Sequence, residues 1–196
     1  MNKMNLKNYW ISKLIIILGI FFLNSANADT KIKASQQVSN FLNQIKNFAS
    51  EKNQLKKEEK SDQILKLIDI EFMSKVTVGK IWKTVNDNEK IIFKRKLFEK
   101  FIQFIDLHLE DFREIKFIEK SIKLRGQKLV YVTGSIDTKK IKNLDITWKL
   151  SSKENKILDV EIEKISLIKT QKLEMKALLK KYKNNFSQFL KIYFSN

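Results

Sequence analysis

The chain of 196 residues has no cysteine and no proline, four glycines and a single histidine, His108. Without cysteine there is no disulfide, no thiol nucleophile and no lipoprotein anchor, and zinc, haem and iron–sulfur sites built from Cys or clustered His are excluded. No loop places Asp or Asn at alternating positions, as a calcium site made of carboxylates requires. Glycine stands only at Gly19, Gly79, Gly126 and Gly134, too sparsely for a phosphate-cradling loop, and no serine occupies a Gly-x-Ser-x-Gly elbow. A serine triad would have to use His108, which sits between Leu107 and Leu109 beside Asp106 and reads as an ordinary helix residue. Asp159, Glu161 and Glu163 put three carboxylates on one strand face, but Lys149, Lys156 and Lys164 nearby favour cross-strand charge pairing over acid–base chemistry. The expectation is a protein that is not an enzyme and holds no cofactor and no metal.

Positive charge, by contrast, is abundant. The chain carries +17, and residues 29–196 keep 36 basic against 22 acidic side chains. Only Arg95, Arg113 and Arg125 are arginines, whereas nucleic-acid surfaces lean on Arg for bidentate contacts, so nucleic acid is not an expected partner. Lysine, isoleucine, asparagine and phenylalanine are all frequent, so the charge reflects A/T-rich codon bias, attraction to anionic lipid, or both.

Lys3, Lys7 and Lys13 flank or precede the apolar run Leu14–Leu23, and Ala26-Asn27-Ala28 offers small residues at the two positions a signal peptidase reads. This pattern predicts an export signal over residues 1–28, cut before Asp29. Ten apolar residues rise only about 15 Å as a helix, roughly half of a ~30 Å hydrocarbon core, which argues against a retained anchor. Residues 29–196 then make one domain, long enough to bury about 70% of its unfolded surface.

Val38, Phe41, Leu42, Ile45 and Phe48 form a helical stripe over Lys31–Ser50. Glu51–Ser61 is charged and stripeless, either the exposed start of the next helix or a linker. Ile64, Leu65, Leu67 and Ile68 begin a second helix, and Ile70–Val78 a third that stops near Gly79. Asn86 with Glu89 is a capping-box pattern opening the longest helix, Asp87–Phe112. One of its stripes runs Ile91, Phe98, Ile102, Ile105, Leu109, Phe112, and a second runs Phe93, Leu97, Phe101, Phe104. Together they exceed the third of the circumference that a surface helix buries. Such a helix lies between a sheet and other helices, or lines an apolar cavity with one side.

After Arg113 the period falls to 2. Lys116–Leu124 reads as a strand, and Val130, Val132 and Ile136, then Leu144, Ile146, Trp148 and Leu150, then Leu158, Val160 and Ile162 alternate with polar neighbours. Helix returns from Lys169, with Leu173, Leu178, Leu179, Phe186, Phe189 and Leu190. The expected fold is α+β, a four-stranded antiparallel meander covered on its apolar face by helices.

Two blocks carry a resemblance. Val78-Gly79-Lys80-Ile81-Trp82-Lys83 matches a Leu-Gly-x-x-Trp-Arg signature, with Val78 for Leu and Lys83 for Arg, and aromatic positions follow at Phe93 and Phe98. Asp159, Val160, Ser166 and Leu167 match an Asp-Val-x-x-x-Gly-x-Ser-Leu strand ending. In order, ahead of a C-terminal helix, these blocks resemble the MlaC, or toluene-tolerance, family over Ile68–Leu190. The chain departs from the pattern at Lys164 in place of Gly, at Asn155 in place of Trp, and at Lys183 or Asn184 near a usual Gly.

The resemblance implies a curved sheet with acyl tails held between sheet and helices. It also implies a periplasmic phospholipid-binding shuttle, carrying a diacyl lipid between outer and inner membranes for an ABC-type lipid transport system. Its partners would be the phospholipid, an inner-membrane ABC transporter complex and an outer-membrane lipoprotein/porin complex, with transient membrane contact and a monomeric carrier. The expected lipid-binding residues are Trp82, Phe93, Leu97 and Phe101 on the helical side and Val132, Ile146, Trp148, Val160 and Ile162 on the sheet. A hopanoid or isoprenoid-lipid carrier of the same family, or an envelope adaptor whose core is simply filled, are the alternatives.

Overall fold

The computed structural model describes residues 6–193, with side chains described from residue 28 onward, so the export signal falls almost wholly outside the described side chains. Helices come first: α1 (Leu6–Ser50), α2 (Gln54–Leu67), α3 (Ile70–Val78), a 3-10 turn (Gly79–Lys83), α4 (Asp87–Leu107) and α5 (Leu109–Arg113). Five strands follow, β1 (Lys116–Arg125), β2 (Leu129–Asp137), β3 (Leu144–Ser151), β4 (Ile157–Ile162) and β5 (Ile165–Ser166), and then α6 (Leu167–Lys181) and α7 (Phe186–Tyr193). Among the described residues no helix is long and apolar enough to cross a membrane.

Short polar side chains start most of these helices. Asn53, Asp69, Asn86 and Ser166 accept hydrogen bonds from the backbone N–H groups of Lys56, Phe72, Glu89 and Lys169, each such cap contributing about 1 kcal/mol. Glu89 does not close a reciprocal box; its carboxylate takes the Ser187 hydroxyl of α7 instead. The charged stretch after Ser50 is the start of α2. Glu51 knits the α1–α2 turn, accepting from Lys60 Nζ at 2.7 Å and from the backbone of Lys52 and Asn53 at 3.0 Å.

The helix expected over Asp87–Phe112 is interrupted. His108, at φ −126° and ψ 32°, ends α4 and lets α5 turn onto α1, where Arg113 Nε donates to the Ala49 carbonyl at 2.7 Å. The same break leaves Phe104 and Leu107 exposed, although Phe104 belongs to an apolar stripe.

The sheet is open and antiparallel in the order β1-β2-β3-β4-β5, five strands where four were expected. The fifth is two residues long, pairing with Glu161 and Ile162, too short to leave an alternation in the sequence. Register builds rows across the inner face: Ile122–Val132–Trp148–Val160, then Gly134–Ile146–Ile162, then Leu124–Val130–Leu150–Ile157. The alternation placed Leu158 in such a row. A bulge opposite Lys149 and Leu150 sets Ile157 against Leu150 instead, so Ile157 joins the main core cluster and Leu158 is buried outside it. Gly134 lies under the Phe117 ring; a Cβ there would stand 2.5 Å from it and 2.3 Å from the Ile118 carbonyl.

Two apolar clusters fill the molecule. The larger joins α1 (Val38, Phe41, Leu42, Ile45, Phe48) to the inner sheet face and to Phe98 and Ile105 of α4. It is α1 that lies over β1 and β2; α4 sits beyond it. The second gathers Val78, Trp82, Val85 and Phe93 with Met175 and Leu179 of α6 and Phe186, Phe189 and Leu190 of α7. Leu173, expected on the apolar side of α6, is exposed, and Met175 takes the buried place.

Candidate functional site

The two signature blocks hold the framework. Gly79 ends α3 at φ 75°, a conformation that glycine adopts without a Cβ penalty, and so turns Trp82 inward. The Trp82 ring meets Phe93 edge-on at 5.9 Å, and its Nε1 donates to Glu71 Oε1 at 3.3 Å. In the second block Asp159 is 5% exposed; its carboxylate accepts from Ser166 Oγ at 2.7 Å, from the backbone of Val160 and Ile168, and from Lys149 Nζ at 3.0 Å. Ser166 in turn caps α6. Lys149 also binds Glu161. This carboxylate face is an ion-paired lock on the β4–β5–α6 turn. The departures from the signature fall at strained turns: Asn155, Lys164, Lys183 and Asn184 have φ of 53°, 66°, 50° and 60°.

The nine expected lipid-binding residues divide between the two clusters. Val132, Trp148 and Val160 share one inner row of the sheet and Ile146 and Ile162 the next, with Phe101 packed on the same cluster. Phe41 of α1 stands between α4 and the sheet, 6.3 Å from the Phe101 ring and 5.5 Å from Trp148. Trp82, Phe93 and Leu97 belong to the second cluster, with α6 and α7. Phe41 was visible as part of the α1 stripe, but periodicity alone did not point it at Trp148.

A groove of about 550 Å³ opens elsewhere, between α2, α3 and α4, and none of the nine residues lines it. Leu65, Ile70, Phe98 and Ile102 form its apolar lining, and all four belong to the main cluster or pack against it. Its rim is polar, with Ser61, Asp62, Glu71, Lys94, Arg95, Glu99 and Gln103. The first α4 stripe, through Phe98 and Ile102, carried the signal for this groove. Glu71 is bound by Lys94 Nζ at 2.8 Å, which holds its carboxyl below the usual range, with the Trp82 indole N–H adding to the effect. Inside the cluster the Trp148 indole N–H is buried and has no acceptor among the described residues. Among the described residues no group of three His, Cys, Asp or Glu side chains could hold a metal ion.

These features define an α+β protein whose open antiparallel sheet keeps one apolar face beneath a helical layer, with a groove between α2, α3 and α4. The chain belongs to the MlaC family: the family model described as MlaC protein matches residues 33–191. Among solved structures it is similar to the phospholipid-binding protein from Ralstonia solanacearum, determined in complex with a phospholipid. The TM-score is 0.68 over 83% of this chain and 94% of that one, and at 16% identity the likeness is one of fold. No curated protein matches the sequence.

Proposed function

We propose that the protein is a periplasmic phospholipid carrier, one binding unit spanning residues 29–196, which shuttles a diacyl lipid between outer and inner membranes for an ABC-type transport system. The observation that carries this reading is the groove: its apolar lining is also the outer wall of the cluster built on the inner sheet face. Tails laid into the groove past Phe98 would part Phe101 from Phe41 and reach the Val132–Trp148–Val160 row. The unpartnered Trp148 N–H supports the same reading, since a lipid ester carbonyl would relieve a cost of about 1–3 kcal/mol. Membership of the family, and the phospholipid held by the protein of similar fold, also support it.

A diacyl lipid has about thirty methylenes, each worth ~0.8 kcal/mol out of water, so unaided transit would cost on the order of 20 kcal/mol. A carrier removes that barrier by offering burial like the membrane's, and its own residues then need no bond chemistry.

Native mass spectrometry of protein purified gently from a Gram-negative envelope tests the proposal. A bound diacyl phospholipid on a chain beginning near Asp29 is expected. A hopanoid mass would reassign the cargo, and an apo mass alone would overturn the carrier reading.

A further inference from the structure

The groove rim carries five charges, and three of them are strongly engaged. Lys94 and Glu71 bind each other at 2.8 Å, and Glu99 takes Lys96 at 2.8 Å. Arg95, 66% exposed, stands 3.6 Å from Glu99, too far for a hydrogen bond. Asp62, on the α2 wall, has no hydrogen bond or ion pair among the described residues. One cation held only by a long, exposed ion pair and one unpaired anion therefore line the same groove without touching. Each sits one helical turn from an apolar lining residue, Arg95 before Phe98 and Asp62 before Leu65, so a boundary between charged and apolar surface runs along both walls.

We infer that this rim is a headgroup site for a zwitterionic aminophospholipid, with the phosphate on Arg95 and the ammonium on Asp62; the inference rests on the phospholipid-carrier reading above. The guanidinium fork matches phosphate oxygens bidentately, and an ammonium supplies three donors to a carboxylate. A phosphatidylglycerol head offers Arg95 the same phosphate but gives Asp62 no cation, leaving an anion beside an anion. The apolar lining directly below the charges matches the glycerol level of a lipid whose tails turn inward.

The test incubates the chain with vesicles of equimolar phosphatidylethanolamine and phosphatidylglycerol carrying identical acyl chains, then extracts and quantifies the bound lipid. The wild-type protein is expected to enrich the ethanolamine lipid roughly two- to fivefold, the discrimination an exposed ion pair supports. Asp62→Asn should bring the ratio to parity by lowering the bound ethanolamine lipid, and Arg95→Glu should lower binding of both lipids. Both residues are exposed, so circular dichroism should show an unchanged fold. Bound lipid at the vesicle ratio, or enrichment that survives Asp62→Asn, overturns the headgroup site while leaving the carrier reading intact. A lipid-to-protein ratio of zero overturns both.

Discussion

Lys164 sits at φ 66°, following Glu163 at 49°, on the turn between β4 and β5. A left-handed conformation costs a non-glycine residue about 1–2 kcal/mol, so Lys164→Gly should raise the unfolding free energy by ~1 kcal/mol, seen as a higher urea midpoint with an unchanged slope. The turn tolerates this strain because Asp159, Lys149 and Ser166 fix its flanks. Burial alone would push the Lys149 ammonium down, but the hydrogen bonds it donates to Glu161 and Asp159 reverse that and leave its pKa above the ordinary 10.5. A raised folded-state pKa gives stability that is full below about 10.5 and fades as pH climbs through the folded value. Lys149→Met leaves Asp159 buried without a cation and should cost ~3 kcal/mol at neutral pH, with a flatter loss of stability in alkali, measured by denaturant titration across pH. At this scale the signature residues were legible because chemistry fixes them. The bulge that exchanges Leu158 for Ile157 was not, since both are aliphatic and either fits the alternation.

Elements were legible wherever the burial period ran long enough. The α1 stripe, the Gly79 stop, the Asn86 cap and the β3 alternation all stand in the structure as read. The break at His108 escaped because Leu109 and Phe112 continue the helical spacing, and only their packing on α1 rotates them out of line. The inner sheet rows make a direct test. Ile146 is 2% exposed and pairs with Gly134 and Ile162, so Ile146→Asp sets an uncompensated charge on the inner face. The expected outcome is loss of bound lipid with a lowered thermal midpoint, read by lipid extraction and calorimetry. A folded variant with wild-type lipid content would remove Ile146 from the binding surface.

For the whole molecule, periodicity announces that a face is buried but not which partner covers it. That is why nine candidate residues read as one pocket and fall into two clusters. The net charge of +17 belongs to this scale too. Each lysine near an anionic bilayer contributes at most about 1 kcal/mol, screened within ~8 Å at physiological salt. Lipid transfer between anionic vesicles should slow as ionic strength rises, while the lipid retained per protein stays constant; a transfer rate indifferent to salt would leave the charge to codon bias alone. The division into two clusters also has a mechanical consequence. Helix α4 is gripped near its start, where Phe93 is enclosed by Trp82 and Phe186, and rests on the sheet cluster only further along, through Phe98 to Ile105. From Phe93 to Ile105 is about 18 Å of helix, so a tilt of roughly 10° about the Phe93 end would lift the far end about 3 Å off α1 and the cluster beneath it.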